Sequence, residues 1–228
     1  MAIKRPDATR ILVCGKSGSG KSSYIKALLG LHNRVIVFDP KNEYGKLGFK
    51  VVYDRKPFFE ALLLKQNIKK DNIKIAFVPA NNDDFNFFCA VAMNFNRAKE
   101  SLIICEELAS FCNTGKLTKH SATLINQIRA FGGVLVLTAQ RCQEIAKSIV
   151  ANVNIVNIHN SAFENDRKYL SNALGIEINT IPTENMQGIQ VVNNIIKTVY
   201  NCKYHSNKPV FYGLENRKLT ITKNGIVK

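Results

Sequence analysis

The chain has 228 residues, of which 46% are hydrophobic and only 6 are prolines. This composition excludes disordered, collagen-like and mucin-like classes of protein, and it leaves ample apolar material for a core. Lys and Arg number 32 against 17 Asp and Glu, which gives a net charge of +15. We expect no transmembrane helix, because no apolar run approaches about 18 residues, and no secretory signal, because residues 1–10 are polar and basic.

Six cysteines are spread along the chain without the C-x-x-C spacing of a zinc or redox site. Several lie inside apolar runs, which indicates reduced, buried thiols in a cytoplasmic compartment and not a disulfide framework. They are Cys14, Cys89, Cys105, Cys112, Cys142 and Cys202. The four histidines form no metal-like pair either.

Short, nearly continuous apolar runs alternate with helical stretches, a pattern typical of parallel strands buried on both faces and joined by helices. The predicted strands span residues 11–14, 34–38, 73–78, 102–105, 134–138 and 154–158. The predicted helices span residues 21–29, 57–65, 83–97, 119–131 and 163–174. This βαβ alternation predicts a three-layer α/β fold with a mainly parallel central sheet.

From residue 188 onward the pattern changes to short strands joined by polar turns, predicted at residues 190–192, 210–212 and 219–222. No linker or internal repeat separates this tail from the rest. We therefore predict one domain over residues 1–228, with a core at about 10–175 and a small appended C-terminal β element at about 188–228.

Residues 15–22 fit the phosphate-loop pattern G-x-x-x-x-G-K-[ST], and they lie between a predicted strand and a predicted helix. Glycines let successive backbone N–H groups point at phosphate oxygens, and the helix N-terminus adds positive partial charge. We predict a site for ATP, with Lys21 on the β- and γ-phosphates and the Ser22 hydroxyl on Mg²⁺. The predicted nucleotide contacts are Gly15, Lys16, Ser17, Gly18, Ser19, Gly20, Lys21, Ser22 and Ser23.

The predicted strand 102–105 ends in two acids, Glu106 and Glu107. Ligands of open α/β sheets bind beyond the carboxyl ends of the strands. We predict that Glu106 holds Mg²⁺ through water and that Glu107 orients or deprotonates the attacking water. The first acid in such strands is usually Asp. Because Glu is one methylene longer, the two roles can shift by one residue.

Predicted strands 34–38 and 73–78 lie in sequence between the phosphate-loop strand and the strand that ends in the two acids. This spacing favours the division of NTPases that inserts an extra strand between those two and carries a catalytic Glu. It disfavours the kinase-like and GTPase-like division.

Two side chains flank the predicted strand 134–138. Gln140, at its tip, can hydrogen-bond the γ-phosphate or the attacking water. Arg129 precedes the Gly132–Gly133 turn by one helical turn, where a cation favours the helix dipole by about 0.3–1 kcal/mol. It can also reach the γ-phosphate of a neighbouring subunit as an arginine finger. The residue chemistry alone leaves both roles of Arg129 open.

These segments together resemble the FtsK–HerA superfamily of DNA-pumping ATPases. Residues 129–141 resemble its Arg-x-x-Gly turn and the following strand that ends in Thr/Ser-x-Gln-Arg, and Asp166-Arg167 resembles its later Asp/Arg segment. Residues 35–44 resemble the D-P-x-x-E-Y segment of the HerA branch. The resemblance covers about residues 10–175 and implies a RecA-like P-loop ATPase that uses ATP and Mg²⁺. By analogy, Arg129 and Arg167 become candidates for the finger or sensor role.

A bare motor of this size most resembles the genome-packaging ATPases of membrane-containing double-stranded DNA viruses. The resemblance implies an ATP-hydrolysing translocase that packages double-stranded DNA into a preformed capsid. Its expected partners are double-stranded DNA, further copies of itself in a hexameric ring, capsid or packaging-vertex proteins, and viral membrane proteins. The expected locations are the host cytoplasm and the packaging vertex of the virion.

Three other functions share parts of this pattern. A secretion or conjugation motor of the same superfamily stays open, since only missing membrane and accessory segments count against it. An ABC-type ATPase shares the Ser- and Gly-rich phosphate loop, but no L-S-G-G-Q stretch follows. A nucleotide or small-molecule kinase is disfavoured, because it does not need the second carboxylate, Glu107, or Gln140.

Clusters of lysine suggest a basic surface that follows the phosphates of DNA. For any single lysine, ordinary solvation remains the simpler explanation, so the aggregate is the informative feature. The clustered residues are Lys65, Lys69, Lys70, Lys74, Lys116, Lys119, Lys203, Lys208, Lys218, Lys223 and Lys228.

Overall fold

The computed structural model describes residues 7–112, 117–161, 163–213 and 216–227. Within these ranges twelve strands form one sheet. They are β1 Thr9–Cys14, β2 Arg34–Phe38, β3 Lys50–Val52, β4 Ile73–Phe77, β5 Leu102–Cys105, β6 Val134–Ala139, β7 Ile155–His159, β8 Gln187–Val192, β9 Ile195–His205, β10 Lys208–Tyr212, β11 Lys218–Thr222 and β12 Gly225–Val227. The α-helices are α1 Lys21–Leu29, α2 Arg55–Leu63, α3 Asp83–Ala98, α4 Lys119–Gln127, α5 Lys147–Asn152 and α6 Glu164–Leu174.

The strands follow the order β12-β11-β10-β9-β8-β7-β1-β6-β5-β2-β4-β3. From β7 to β3 every neighbouring pair is parallel, and from β7 to β12 the chain continues antiparallel. The predicted α/β fold with a mainly parallel sheet is therefore confirmed. The C-terminal β element is an extension of that sheet, and it begins at Gln187.

One strand does separate the phosphate-loop strand β1 from β5, but it is β6 and not the strand 34–38 or 73–78 expected there. β2 and β4 lie beyond β5 on its other side. The expectation was wrong about the strand because parallel strands are joined by crossovers, so their order along the chain does not give their order in the sheet.

The two faces of the parallel strands are covered differently. Alternate strand residues face α2 to α6 on one side, where Phe58, Phe85 and Phe88 are fully or almost fully buried. The other side carries α1, whose Tyr24 and Leu28 are fully buried. Burial of each such side chain contributes about 1.5–3 kcal/mol.

The antiparallel strands curl over α1 and cover it. The ring centroids of Tyr24 in α1 and Phe211 in β10 are 6.4 Å apart, in an edge-on arrangement. At the far end, the Gln190 amide of β8 accepts from the Ile226 N–H at 2.7 Å and donates to the Ile226 carbonyl at 3.0 Å. The C-terminal extension therefore packs on α1 and covers this face of the parallel sheet.

The six cysteines are free and buried, as the sequence indicated. Among the described residues, no helix combines the length and the apolar character that crossing a bilayer requires. The helix expected over residues 119–131 ends at Gln127, and residues 128–131 form a 3₁₀ turn before Gly132 and Gly133, which have φ of 69° and 82°. The short helix α5 was not predicted.

Candidate active site

The phosphate-binding loop connects β1 to α1, at the centre of the sheet. Gly15, Gly18 and Gly20 have φ of 143°, 73° and 110°, values that L side chains rarely adopt. A Cβ on Gly15 would lie 2.9 Å from the Cβ of His159, so this position also lacks room for a side chain. The Lys16 N–H donates to the Asn160 carbonyl at 2.9 Å. The end of β7 therefore holds the start of the loop.

A cavity of about 280 Å³ opens over this loop. Its lining residues are Ser17, Gly18, Gly20, Lys21, Ser22, Ser23, Asp39, Lys41, Glu43, Glu106, Glu107, Gln140, Met186 and Tyr204. Six of the nine predicted nucleotide contacts are in this set. The other three do not line the cavity: Gly15 and Ser19 are buried, and Lys16 is half-buried.

The Lys21 ammonium lies over the loop and donates to the carbonyl oxygens of Gly15, at 2.5 Å, and Lys16, at 2.9 Å. Burial lowers the pKa of Lys21, and the negative charge of Glu107 opposes that shift. The ammonium is thus already partly withdrawn from water. In this partly buried position its interaction with a phosphate is stronger than at an open surface.

The Glu106 carboxylate is buried beside the loop and is held by two hydroxyl groups. The Tyr44 hydroxyl donates to Oε1 at 2.7 Å, and the Thr138 hydroxyl donates to Oε2 at 2.5 Å. Burial raises the pKa of Glu106, while these two hydrogen bonds oppose the shift. Its orientation is therefore fixed at both oxygens.

The donor set around the cavity fits a magnesium ion. Magnesium in nucleotide sites is held by one or two carboxylates, a hydroxyl group and the substrate phosphates, and not by a cage of protein ligands. The Ser22 hydroxyl and the Glu106 carboxylate line the same cavity. In the part of the chain that the structure describes, no three His, Cys, Asp or Glu side chains are grouped as a ready-made metal cage.

The Glu107 carboxylate accepts hydrogen bonds from two side chains that follow the ends of β2 and β6. The Lys41 ammonium donates to Oε1 at 2.5 Å, and the Gln140 amide lies 3.1 Å from both oxygens. Burial alone would raise the pKa of Glu107, but the hydrogen bonds from Lys41 and Gln140, together with the Lys41 charge, bring it below its ordinary value. Glu107 is therefore ionised at neutral pH.

The segment after β2 positions two of these donors. The Asp39 carboxylate accepts from the backbone N–H groups of Glu43, at 3.1 Å, and Tyr44, at 2.9 Å. Asp39 is therefore a turn-forming residue. The turn directs Lys41 toward Glu107 and Tyr44 toward Glu106.

Sequence reasoning had given no role to Lys41, Tyr44 or Thr138. The signal for the first two was that they lie in the segment after a buried strand, as Glu106 and Glu107 do. Their significance depends on β2 lying next to β5 in the sheet.

Arg129 is far from this cluster in its own chain. It lies before the amino end of β6, with its carbonyl accepting from the Ala8 N–H at the start of β1, whereas the cavity lies at the carboxyl ends of these strands. Its side chain is 65% exposed and donates to Asp7 at 2.9 Å. The structure therefore does not bring Arg129 together with the phosphate loop of the same chain.

Arg167 and Arg141 lie near the carboxyl ends of the parallel strands, beside the site. Neither is among the described residues that line the cavity. Arg167, in the first turn of α6, donates to the Ser161 carbonyl at 3.0 Å. Arg141 follows Gln140 and donates to Asp166 at 3.2 Å and to Glu144 at 2.6 Å.

The described lysines of the predicted basic surface are exposed, except for the half-buried Lys74. Lys119 begins α4. Lys116 and Lys228 lie outside the described residues.

Comparisons with known proteins identify relatives of this chain. Protein P9 of Pseudoalteromonas phage PM2 is 29% identical over 158 residues, which cover 67% of this chain and 70% of P9. The genome packaging NTPase B204 of Sulfolobus turreted icosahedral virus 2, solved with ATPγS, has the same fold, with a TM-score of 0.66, 17% identity, and coverage of 83% of this chain and 95% of B204.

The conjugation coupling protein TcpA of pCW3, also solved with ATPγS, matches with a TM-score of 0.50 and 15% identity over 83% of this chain, which spans 59% of TcpA. At these identities the solved structures show the fold alone. Residues 8–131 match the model of the family "Helicase HerA, central domain". The chain therefore belongs to the HerA central-domain family, within the FtsK–HerA superfamily of P-loop ATPases that its motifs resemble.

Proposed function

We propose that this protein is an ATP-hydrolysing motor that packages double-stranded DNA into a preformed viral capsid. The observation that carries the proposal is one cavity that joins a phosphate loop to Glu106, Glu107 and Gln140, in a chain of the HerA family. The similarity to the packaging NTPase B204 supports a packaging ATPase, and the similarity to the phage protein P9 supports a viral one. Coupling to DNA movement is the further step that we propose.

ATP binding begins with the loop. Its glycines present backbone N–H groups to the phosphates, and Lys21 turns from the carbonyls of Gly15 and Lys16 to the β- and γ-phosphates. This exchanges two neutral acceptors for negatively charged ones, which adds the attraction of opposite charges to hydrogen bonds that already have an ionised donor. Ser22 and Glu106 would hold Mg²⁺, which offsets the negative charge of the phosphates when it is bound.

Hydrolysis uses the groups at the ends of β5 and β6. Glu107 orients a water molecule toward the γ-phosphorus and accepts its proton as the bond to ADP breaks, with ADP and phosphate as products. Gln140 hydrogen-bonds the Glu107 carboxylate and is in place to contact the same water or the γ-phosphate. Lys41 keeps Glu107 ionised.

A trans-acting arginine completes the proposal. Because Arg129 lies at the opposite edge of the sheet from its own cavity, it can serve as a finger only for the nucleotide of a neighbouring subunit. This supports a closed ring of identical subunits, for which we propose six. Arg167 and Arg141 are the alternative candidates, as a finger or as sensors within the subunit.

Partners follow from the same proposal. The ring encloses double-stranded DNA and contacts its phosphates through exposed lysines, and capsid or packaging-vertex proteins and viral membrane proteins hold it at the vertex of the virion. A conjugation or secretion motor is the second candidate, because TcpA shares the fold.

The test is electron microscopy of the purified protein with a non-hydrolysable ATP analogue and duplex DNA, combined with DNA-binding measurements over a range of salt. We expect rings around the duplex and an affinity that is indifferent to DNA sequence. Its logarithm should fall with log salt by about 0.9 for each phosphate contacted. Salt-insensitive or sequence-selective binding would contradict a translocase. Uptake of DNA by empty capsids, present with the wild type and lost with Lys21→Ala, distinguishes packaging from conjugation.

A further inference from the structure

The nucleotide cavity is polar everywhere except at two side chains. Among the described residues that line it, Met186 and Tyr204 alone are large and apolar; the others are charged, polar or glycine. Met186 immediately precedes the C-terminal extension and Tyr204 lies on its second strand, β9; the motifs of the family assign no role to this part of the chain. We propose that Met186 and Tyr204 form the binding subsite for the adenine base of ATP. This inference rests on the proposed function and names how its substrate is recognised.

The order of the strands places these residues where the base must lie. β1, which carries the phosphate loop, has β6 on one side and β7 on the other. The carboxylate side of the cavity is formed by residues that follow β2, β5 and β6. They are Lys41, Glu106, Glu107 and Gln140. The C-terminal side of the cavity is formed by Met186 and Tyr204. Both belong to the segment that continues from β7 through β8 and β9. A triphosphate whose γ-phosphate faces the carboxylates therefore directs its base toward the C-terminal side.

Met186 is held directly against the phosphate loop. Its N–H donates to the Ser19 carbonyl at 3.0 Å, and its carbonyl accepts from the Cys202 N–H at 2.7 Å. Its sulfur would lie 3.4 Å from a Cβ on Gly20. Its φ of 63° is unusual for a residue other than glycine, and such conformations concentrate at ligand sites.

Tyr204 lies on β9, and its hydroxyl is 2.8 Å from the Ser23 hydroxyl in α1. This contact fixes the outer end of the ring beside the phosphate loop, while 46% of the residue stays exposed. An anchored aromatic ring with an open face is a stacking surface for a base. Ser23 was predicted to contact the nucleotide; here its hydroxyl orients the ring.

The experiment compares ATP with inorganic tripolyphosphate, which carries the phosphates without the base. Dissociation constants of both probes, with Mg²⁺, are measured for the wild type, Tyr204→Ala and Tyr204→Phe. Tyr204→Ala should weaken ATP binding about 10-fold and leave tripolyphosphate binding unchanged. Tyr204→Phe, which keeps the ring and loses the contact with Ser23, should bind ATP nearly as well as the wild type. Val199→Ala, at another exposed position of β9, is the matched control.

Three results would overturn the inference. Equal weakening of both probes by Tyr204→Ala would mean that Tyr204 acts through the loop. Equal loss of ATP affinity in Tyr204→Phe and Tyr204→Ala would attribute the effect to the hydroxyl. No change in either variant would place the base elsewhere. The proposed function fails in a different way, because a wild-type protein that binds neither probe has no nucleotide site at all.

Discussion

The two sides of the nucleotide cavity are built in different ways. On the carboxylate side, at the ends of parallel strands, Glu106 accepts from two hydroxyl groups and Glu107 accepts from an ammonium and an amide, in hydrogen bonds of 2.5–3.1 Å. On the C-terminal side, Met186 and Tyr204 face the cavity with apolar groups and are fixed mainly through backbone contacts and one hydroxyl.

The roles that we propose for the two sides account for this difference. Charge that develops on a phosphate is stabilised by groups whose positions are fixed beforehand, and the ends of parallel strands supply fixed positions. A base is bound by contact area, which tolerates small displacements and can come from a segment that reaches the loop from far along the chain. The catalytic side should therefore be sensitive to single polar substitutions, and the C-terminal side to loss of area.

The largest effect is expected where the two sides meet. Lys21→Ala should abolish ATP hydrolysis and weaken nucleotide binding, because the phosphates lose their principal side-chain partner. Steady-state release of phosphate and the dissociation constant of ATP measure the two effects. Lys26→Ala, an exposed lysine one turn further along α1, is the control. Unchanged turnover in Lys21→Ala would contradict the whole interpretation of the cavity.

The next largest effect tests whether the site needs an arginine that belongs to neither side of the cavity. Arg129→Ala should fold and bind ATP normally but hydrolyse it about 10³-fold more slowly, as for loss of an arginine finger. Folding should be preserved because an exposed ion pair such as that with Asp7 contributes about 0.2–1 kcal/mol. Asp7→Ala, which removes the same ion pair and keeps the guanidinium, should retain full turnover.

Mixing separates a trans finger from a residue of the same subunit. Arg129→Ala subunits combined with Lys21→Ala subunits should regain some hydrolysis, since a mixed boundary pairs an intact cavity with an intact Arg129. Slow hydrolysis without such rescue, while subunits demonstrably exchange, would assign the finger role to Arg167 or Arg141.

Within the carboxylate side, the two acids should differ. Glu107→Gln should bind ATP and hydrolyse it about 10²-fold more slowly, because the general base is lost. Glu106→Gln should instead raise the Mg²⁺ concentration needed for activity, and Glu60→Gln, on the exposed surface of α2, should do neither. Single-turnover rates over a range of Mg²⁺ distinguish these outcomes. If Glu106→Gln slows hydrolysis with metal affinity intact, the roles of the two acids are exchanged.

Much of the fold could be predicted because parallel strands buried on both faces leave continuous apolar runs. The observed bounds of β2 and β5 are those predicted. β9, the longest strand at 11 residues, was missed because only alternate side chains are buried, and Lys197, Asn201 and Lys203 interrupt the apolar pattern. The position of β6 between β1 and β5 is a property of the crossovers, which no local pattern records.

The residues of the site also differ in whether the sequence could predict their placement. Glu106, Glu107 and Gln140 follow strand ends directly, so their placement at the phosphate loop could be predicted. Lys41 follows a strand end too, but its partner became known only when β2 proved to be the neighbour of β5. Tyr204 gave no signal at all, because it meets Ser23 from 181 residues away through the curl of an antiparallel extension.

The smallest effect concerns Lys41 and depends on pH. Lys41→Met removes both a hydrogen bond and a positive charge from Glu107, so the pKa of Glu107 should rise while the burial that raises it remains. Turnover requires the ionised carboxylate. The acid limb of the pH profile of kcat should therefore move to higher pH in Lys41→Met. Near pH 8, where Glu107 is still ionised, turnover should stay within a few-fold of the wild type.

The control is Lys50→Met, which removes an exposed lysine at the start of β3 and should leave the profile in place. The form of the change decides what Lys41 does. A shift of the acid limb means that Lys41 acts through Glu107. A uniform fall of kcat at every pH would show instead that Lys41 contacts the phosphates as a second cation beside Lys21. The carboxylate side would then bind substrate through its own lysine, and its ion pair with Glu107 would have to break whenever ATP enters.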